Sequence, residues 1–130
     1  MMGVVLIALG GAVGSVGRYY VAGAVERWLG VAIGAGFPYG TLAVNVIGSA
    51  VLGLLVALLS AVFTTTPEIR LFLVVGVLGG FTTFSAFSLD VIALFERNEA
   101  GRALLYIALS VVLSAGALYL VLRFVRWVTP

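Results

Sequence analysis

The chain of 130 residues has no cysteine, no histidine and no lysine. Without cysteine there is no disulfide, no thiolate nucleophile and no cysteine-held metal. Without histidine, the commonest general base and soft-metal ligand near neutral pH is missing. Charge is scarce as well: seven arginines and five carboxylates make up 9% of the chain, against roughly 25% in a soluble domain. The formal net charge is only +2 and no basic stripe is present, so nucleic acid is not an expected partner. No nucleophile–base set and no phosphate-binding loop of the Walker type can be found, which argues against an enzyme.

What is present is apolar. The chain is 63% hydrophobic with a mean hydropathy of +1.27. Crossing ~30 Å of hydrocarbon at ~1.5 Å per residue takes about 20 residues. The charges leave four such segments, roughly residues 3–25, 40–63, 71–92 and 103–126. Alternating segments of ~10 residues, which transmembrane β-strands need, are absent. The first apolar stretch has no basic region before it and runs into Arg18, so it is expected to be a retained span rather than a signal peptide. The expected protein is one all-α, four-helix transmembrane domain over residues 1–130, multi-pass in the cell membrane.

Four spans put both ends of the chain on one side. Arg70, Arg123 and Arg126 then face Arg27, Arg97 and Arg102 on the other, a tie that no lysine breaks. So weak a bias under the positive-inside rule predicts insertion in both orientations, which permits an antiparallel homodimer; the alternative is a single orientation set by other means. Thr66-Pro67-Glu68 has the form of a helix start, with a cap, a proline at the first helical position and an acid on the positive end of the dipole. Asn98-Glu99 is a candidate cap for the fourth span. Trp28, Tyr39, Phe124 and Trp127 fall near span ends, as interfacial aromatics do. Gly10/Gly14, Gly76/Gly80, and Gly48 with Ser49 and Gly53 provide small-residue spacings that let backbones approach in lipid.

The polar residues inside the spans carry the functional signal. Residues 79–88 read Gly-Gly-Phe-Thr-Thr-Phe-Ser-Ala-Phe-Ser. Paired glycines weaken a helix and the threonines compete for freed backbone groups, which predicts a break near Gly79–Thr83. Irregular backbone at membrane depth is tolerated only where it is buried in protein or lines a polar cavity. Thr41, Asn45 and Ser49, four apart, share one helix face, as do Tyr106, Ser110 and Ser114. Arg18 is the one full charge well inside a span, at a cost of ~2.5–3.5 kcal/mol on insertion scales; it is either a vestibule charge that draws anions or a snorkelling side chain. Asp90 ends the third span and is expected to pair with an arginine or cap a neighbouring helix. Neutral donors, one cation and the positive ring edges of Phe84 and Phe87 suit a passive anion pathway. Unwound carbonyls at the break are hard ligands of the kind that hold Na+ in broken transmembrane helices.

Three stretches together resemble the Fluc (CrcB) fluoride channels: Gly10-Gly11-x-x-Gly14-x-x-x-Arg18-Tyr19; Phe37-Pro38-x-Gly40-Thr41-Leu42-x-Val44-Asn45-x-x-Gly48-Ser49; and Gly79-Gly80-Phe81-Thr82-Thr83-Phe84-Ser85-x-Phe87-Ser88. The resemblance implies a fluoride-selective passive channel, an antiparallel dual-topology homodimer that lets toxic cytoplasmic fluoride leave the cell. By similarity, Asn45 lines the pore and orients the pore aromatics Phe84 and Phe87. Thr41, Tyr106, Ser110 and Ser114 match polar pore or vestibule positions, and Arg18 matches the family's motif arginine. The backbone carbonyls of Gly79 and Thr82 match those that hold a central structural Na+. The chain departs at Ala86, where Thr or Ser is common, and at Asp90, where Glu is usual.

Two other readings fit the size. A small dual-topology multidrug or cation exporter needs a membrane-embedded carboxylate, classically in its first span, and residues 3–25 contain none. A non-transporting scaffold would use the same polar residues only as interhelical glue.

Overall fold

The computed structural model describes residues 1–30, 36–61 and 66–129. All regular structure among them is helical. Helix α1 is Met2–Trp28, α2 is Tyr39–Ala61 and α3 is Pro67–Arg70. A π-helical stretch, Leu71–Leu78, continues into α4, Gly79–Phe81; α5 is Phe84–Glu96 and α6 is Ala100–Val128. From Pro67 to Glu96 the chain forms one span, so among the described residues four helices are long and apolar enough to cross a bilayer. The third span overshoots its apolar stretch at both ends, because helix continues into the polar segments that bound the hydrophobic run. Phe63, near the expected end of the second span, lies outside the described residues.

Glycine decides how closely the spans pack. Helix α1 lies along the third span, and α2 along α6. A methyl at Gly10 would meet the Phe72 carbonyl oxygen at 2.6 Å and Gly76 Cα at 2.9 Å, and one at Gly14 would collide with the Val77 carbonyl. On the other pair, a methyl at Gly53 would meet the Leu118 carbonyl at 2.5 Å. Lipid supplies no hydrophobic drive for helices to associate, so van der Waals contact between bare backbones has to hold these pairs together. Larger side chains cluster where α5 returns along α6. There Leu94, Ala103 and Tyr106 are fully buried, covered by Phe37, Leu42, Phe87 and Val91.

The third span is broken inside the expected Gly79–Thr83 stretch, and it adds a feature that the sequence does not show. Its first half is wound as a π-helix, with i→i+5 bonding. Leu-Phe-Leu-Val-Val-Gly-Val-Leu is apolar throughout, so it has no polar face whose phase could reveal a change of winding. The break occupies the threonine end of the expected stretch. Gly79, Gly80 and Phe81 are helical, and Thr82 (φ −79°, ψ 156°) and Thr83 (φ −152°, ψ 123°) are extended. Gly80 serves packing: a methyl there would meet the Gly11 carbonyl at 2.5 Å.

Helix ends are simpler than expected. Thr66 occupies the cap position before Pro67 with extended backbone but makes no side-chain cap bond. Asn98 turns the chain with a positive φ of 60°, and Glu99, the residue that precedes α6, pairs with Arg102 at 2.9 Å instead of capping.

Candidate functional site

The two extended threonines leave backbone groups without helical partners, and one side chain from another helix takes up two of them. Asn45, on α2, donates from Nδ2 to the Thr83 carbonyl at 3.1 Å and accepts the Thr83 N–H on Oδ1 at 2.9 Å. The amide thus reads both polar groups of one residue, as a neighbouring strand would. Thr83 then starts the next helix: its Oγ1 accepts the Ala86 N–H at 3.1 Å, the usual service of a threonine N-cap, and lies 3.2 Å from Ser85 Oγ. The Thr82 hydroxyl donates to the Leu78 carbonyl at 2.9 Å and closes the preceding turn.

This pattern frees particular carbonyls. In a continuous helix the Gly79 carbonyl would accept from the Thr83 N–H, and the Thr82 carbonyl from the Ala86 N–H. Both donors are engaged elsewhere, at Asn45 and at Thr83 Oγ1. Gly79 and Thr82 therefore present hard neutral oxygens outside the helical ladder, the donor chemistry that suits Na+.

The break opens onto a groove of about 580 Å³ between α2, the third span and α6. Asn45 and Ser49 line it from α2; Gly79, Thr82, Thr83, Phe84 and Phe87 from the third span; Ser110 and Ser114 from α6. Its remaining wall is apolar, from Leu52, Val74, Leu78 and Val111, with the bare backbone of Gly48 between. Phe84 stands 79% exposed at the groove, with its ring 5.3 Å from that of Phe87. The hydroxyl oxygens of Ser110 and Ser114 are buried and have no hydrogen-bond partner among the described residues. A buried hydroxyl without a partner costs about 1–3 kcal/mol, so these two are donors on one wall available to a water or a ligand in the groove.

The structure thus brings together Asn45, Phe84, Phe87, Ser110, Ser114, Gly79 and Thr82. It does not bring three other candidates to the groove wall. Tyr106 is fully buried behind Phe87, its ring 5.3 Å from that ring and 5.5 Å from Phe37, and its hydroxyl donates to Asp90 Oδ2 at 3.1 Å. Thr41 lies half-buried one turn before Asn45. Arg18 is half-buried on α1 and makes no hydrogen bond or ion pair with any described residue. Asp90 neither pairs with an arginine nor caps a helix among the described residues; it holds the tyrosine instead, because α5 and α6 run side by side and place the carboxylate at the height of that ring. Thr83 is the residue that sequence reasoning undervalued. Its signal was the cap spacing from Thr83 to Ala86, legible only once the break is placed after Thr82.

Four apolar spans, one broken at a polar groove by an asparagine clamp, define a class: a small polytopic helical membrane protein with its polar chemistry at mid-span. The chain belongs to the CrcB family, whose model, described as CrcB-like protein, Camphor Resistance (CrcB), matches residues 5–122. It is a multi-pass protein of the cell membrane. Relatives named fluoride-specific ion channel FluC include one from Rhizobium johnstonii, 53% identical over 117 residues and 90% of both chains. Another from Rhizobium etli is 50% identical over 126 residues, covering 97% of this chain and 98% of the relative. A third, from Rhodospirillum centenum, is 46% identical over 123 residues, covering 95% and 94%.

Proposed function

We infer that this protein is a fluoride-selective passive channel that lets fluoride leave the cytoplasm and so lowers its toxicity. The observation that carries this reading is the groove, where two partnerless serine hydroxyls face a phenylalanine pair beside an asparagine-clamped helix break. The relatives' names supply the ion. Hydroxyl hydrogens and ring edges both present positive charge to a small anion without binding it as tightly as a full cation would. Weak sites in series are what conduction needs, since the ion must leave each one.

Each part of the chain has a role in this reading. Asn45 holds the break open and sets the start of α5, which places Phe84 and Phe87. Ser110 and Ser114 replace water around the dehydrated ion. Tyr106, held by Asp90, backs the Phe87 ring, with Thr41 nearby on the approach. Arg18 draws anions to the mouth.

The functional unit in this reading is an antiparallel dual-topology homodimer. Even arginine counts at the two ends and the exposure of Phe84 at an open groove support it. The freed carbonyls of Gly79 and Thr82 would hold a structural Na+, which fixes the two breaks in place and is not transported.

The test is fluoride efflux from liposomes holding the purified protein, read with a fluoride electrode beside a chloride-loaded control. Fast fluoride release with little chloride release is expected. Release of neither ion from well-folded protein would leave the scaffold reading. Phe84→Ile and Phe87→Ile should each reduce single-channel fluoride current; two unchanged currents would remove the aromatics from the pathway.

A further inference from the structure

The two ends of the bundle carry equal numbers of arginines but not equal charge. Consecutive spans alternate in direction, so Arg27, Arg97 and Arg102 share an end with Glu26, Glu96 and Glu99, and Arg102 is bridged to Glu99 at 2.9 Å. The opposite end holds Arg70, Arg123 and Arg126 against one carboxylate, Glu68. Arg123 and Arg126 are exposed and make no hydrogen bond or ion pair with any described residue.

Their helix presents them in a specific way. The apolar part of α6, residues 103–122, already spans the hydrocarbon at ~1.5 Å per residue. The helix nevertheless continues to Val128. Those last six residues add about 9 Å, enough to cross a headgroup layer of ~5–8 Å per leaflet. At ~100° per residue, Arg126 and Trp127 lie within about 60° of Arg123 around the axis. Trp127 is 77% exposed and its ring lies 6.4 Å from that of Phe124, tilted by 42° and also exposed, while Val125 on the far side is buried against the bundle.

We propose that the outer face of the end of α6 binds the headgroup of an anionic phospholipid. Arg123 and Arg126 engage the phosphodiester, and Trp127 with Phe124 rests on the glycerol and upper acyl region. Guanidinium groups suit this contact because their planar forks match phosphate oxygens in pairs. Aromatic rings with one polar edge settle at that depth. The other end of the bundle, with its balanced and bridged charges, has no such preference. This lipid contact does not depend on the transport reading.

The test uses the full chain in a nonionic detergent, in a Trp28→Phe background so that the fluorescence reports Trp127. It is titrated with phosphatidylglycerol, phosphatidylcholine or inorganic phosphate. Each arginine near an anionic surface is worth about fivefold in affinity. The R123Q/R126Q pair should therefore bind phosphatidylglycerol about thirtyfold more weakly, while Arg102→Gln leaves the titration unchanged. If the pair fails to fold, Arg126→Gln alone should lose about fivefold. Equal titration by phosphatidylcholine, an equal response to inorganic phosphate, or no loss in the arginine variants would overturn the assignment.

Discussion

Replacing Asn45 by alanine removes one amide and strands two backbone groups. In the native structure its Oδ1 takes the Thr83 N–H at 2.9 Å and its Nδ2 serves the Thr83 carbonyl at 3.1 Å. Thr83 is 9% exposed, so water replaces neither bond well. At about 1–2 kcal/mol for each buried group left unpaired, near the lower part of the usual range, the extended conformation loses about 2–4 kcal/mol. The competing conformation is a continuous helix, in which the Thr83 N–H returns to the Gly79 carbonyl and the start of α5 turns away from the groove. The balance between the two then shifts by about thirtyfold to a thousandfold against the break. Asn45→Ala should lower fluoride efflux from liposomes by at least tenfold, with the protein still helical and monodisperse in detergent. Asn45→Asp keeps the acceptor for the N–H but sets a carboxylate oxygen against the Thr83 carbonyl and a negative charge in the anion pathway, so its efflux should fall at least as far. Native efflux from Asn45→Ala would refute the reasoning, because the clamp would then not be holding the conducting geometry.

Ser110→Ala and Ser114→Ala each remove a buried hydroxyl that has no protein partner, so melting temperature should hold or rise while fluoride efflux falls several-fold; a marked drop in stability would mean that these hydroxyls are glue. Gly14→Ala pushes a methyl into the Val77 carbonyl and should cost about 1–3 kcal/mol, seen as a lower thermal midpoint in detergent, whereas Gly11→Ala, whose added methyl meets nothing within 4 Å, should be tolerated. Asp90→Asn keeps an acceptor for the Tyr106 hydroxyl and should retain most efflux, while Asp90→Ala leaves that hydroxyl unpaired and should lose more, a split that the fluoride electrode can read. Protein assembled in sodium-free buffer should show reduced activity that Thr82→Ser does not share, because the oxygen at issue is a backbone carbonyl; full activity without sodium would count against the ion.

Much of this architecture is legible from the residues because membrane spans are coarse features. Runs of about twenty apolar residues between arginines place four helices without any detail of packing. The polar stripes were legible for a related reason: Asn45, Ser110 and Ser114 are exceptions in an apolar field, and helical spacing assigns them a face. Tyr106 kept its stripe but not its place at the groove, since one turn along a helix moves a side chain from an open wall into the contact between α5 and α6. The position of the break could not be fixed from Gly79-Gly80-Phe81-Thr82-Thr83 alone. Glycine has two uses, loosening a helix and admitting a neighbour, and only the presence of Gly11 across the contact decides between them. The arrangement of Asp90 with Tyr106 likewise depends on a partner on the neighbouring helix.

The π-helical stretch Leu71–Leu78 has a consequence for changes in chain length. Each i→i+5 turn holds one residue more than an i→i+4 turn, so this segment stores surplus chain inside a span. Deleting one residue there lets the winding relax toward an ordinary α-helix while both flanks keep the faces they present. The same deletion in the middle of α2 would rotate everything on one side of it by about 100° and carry Asn45 out of line with Gly53. The third span is thus a place where this bundle can lose a residue without changing which side chains meet.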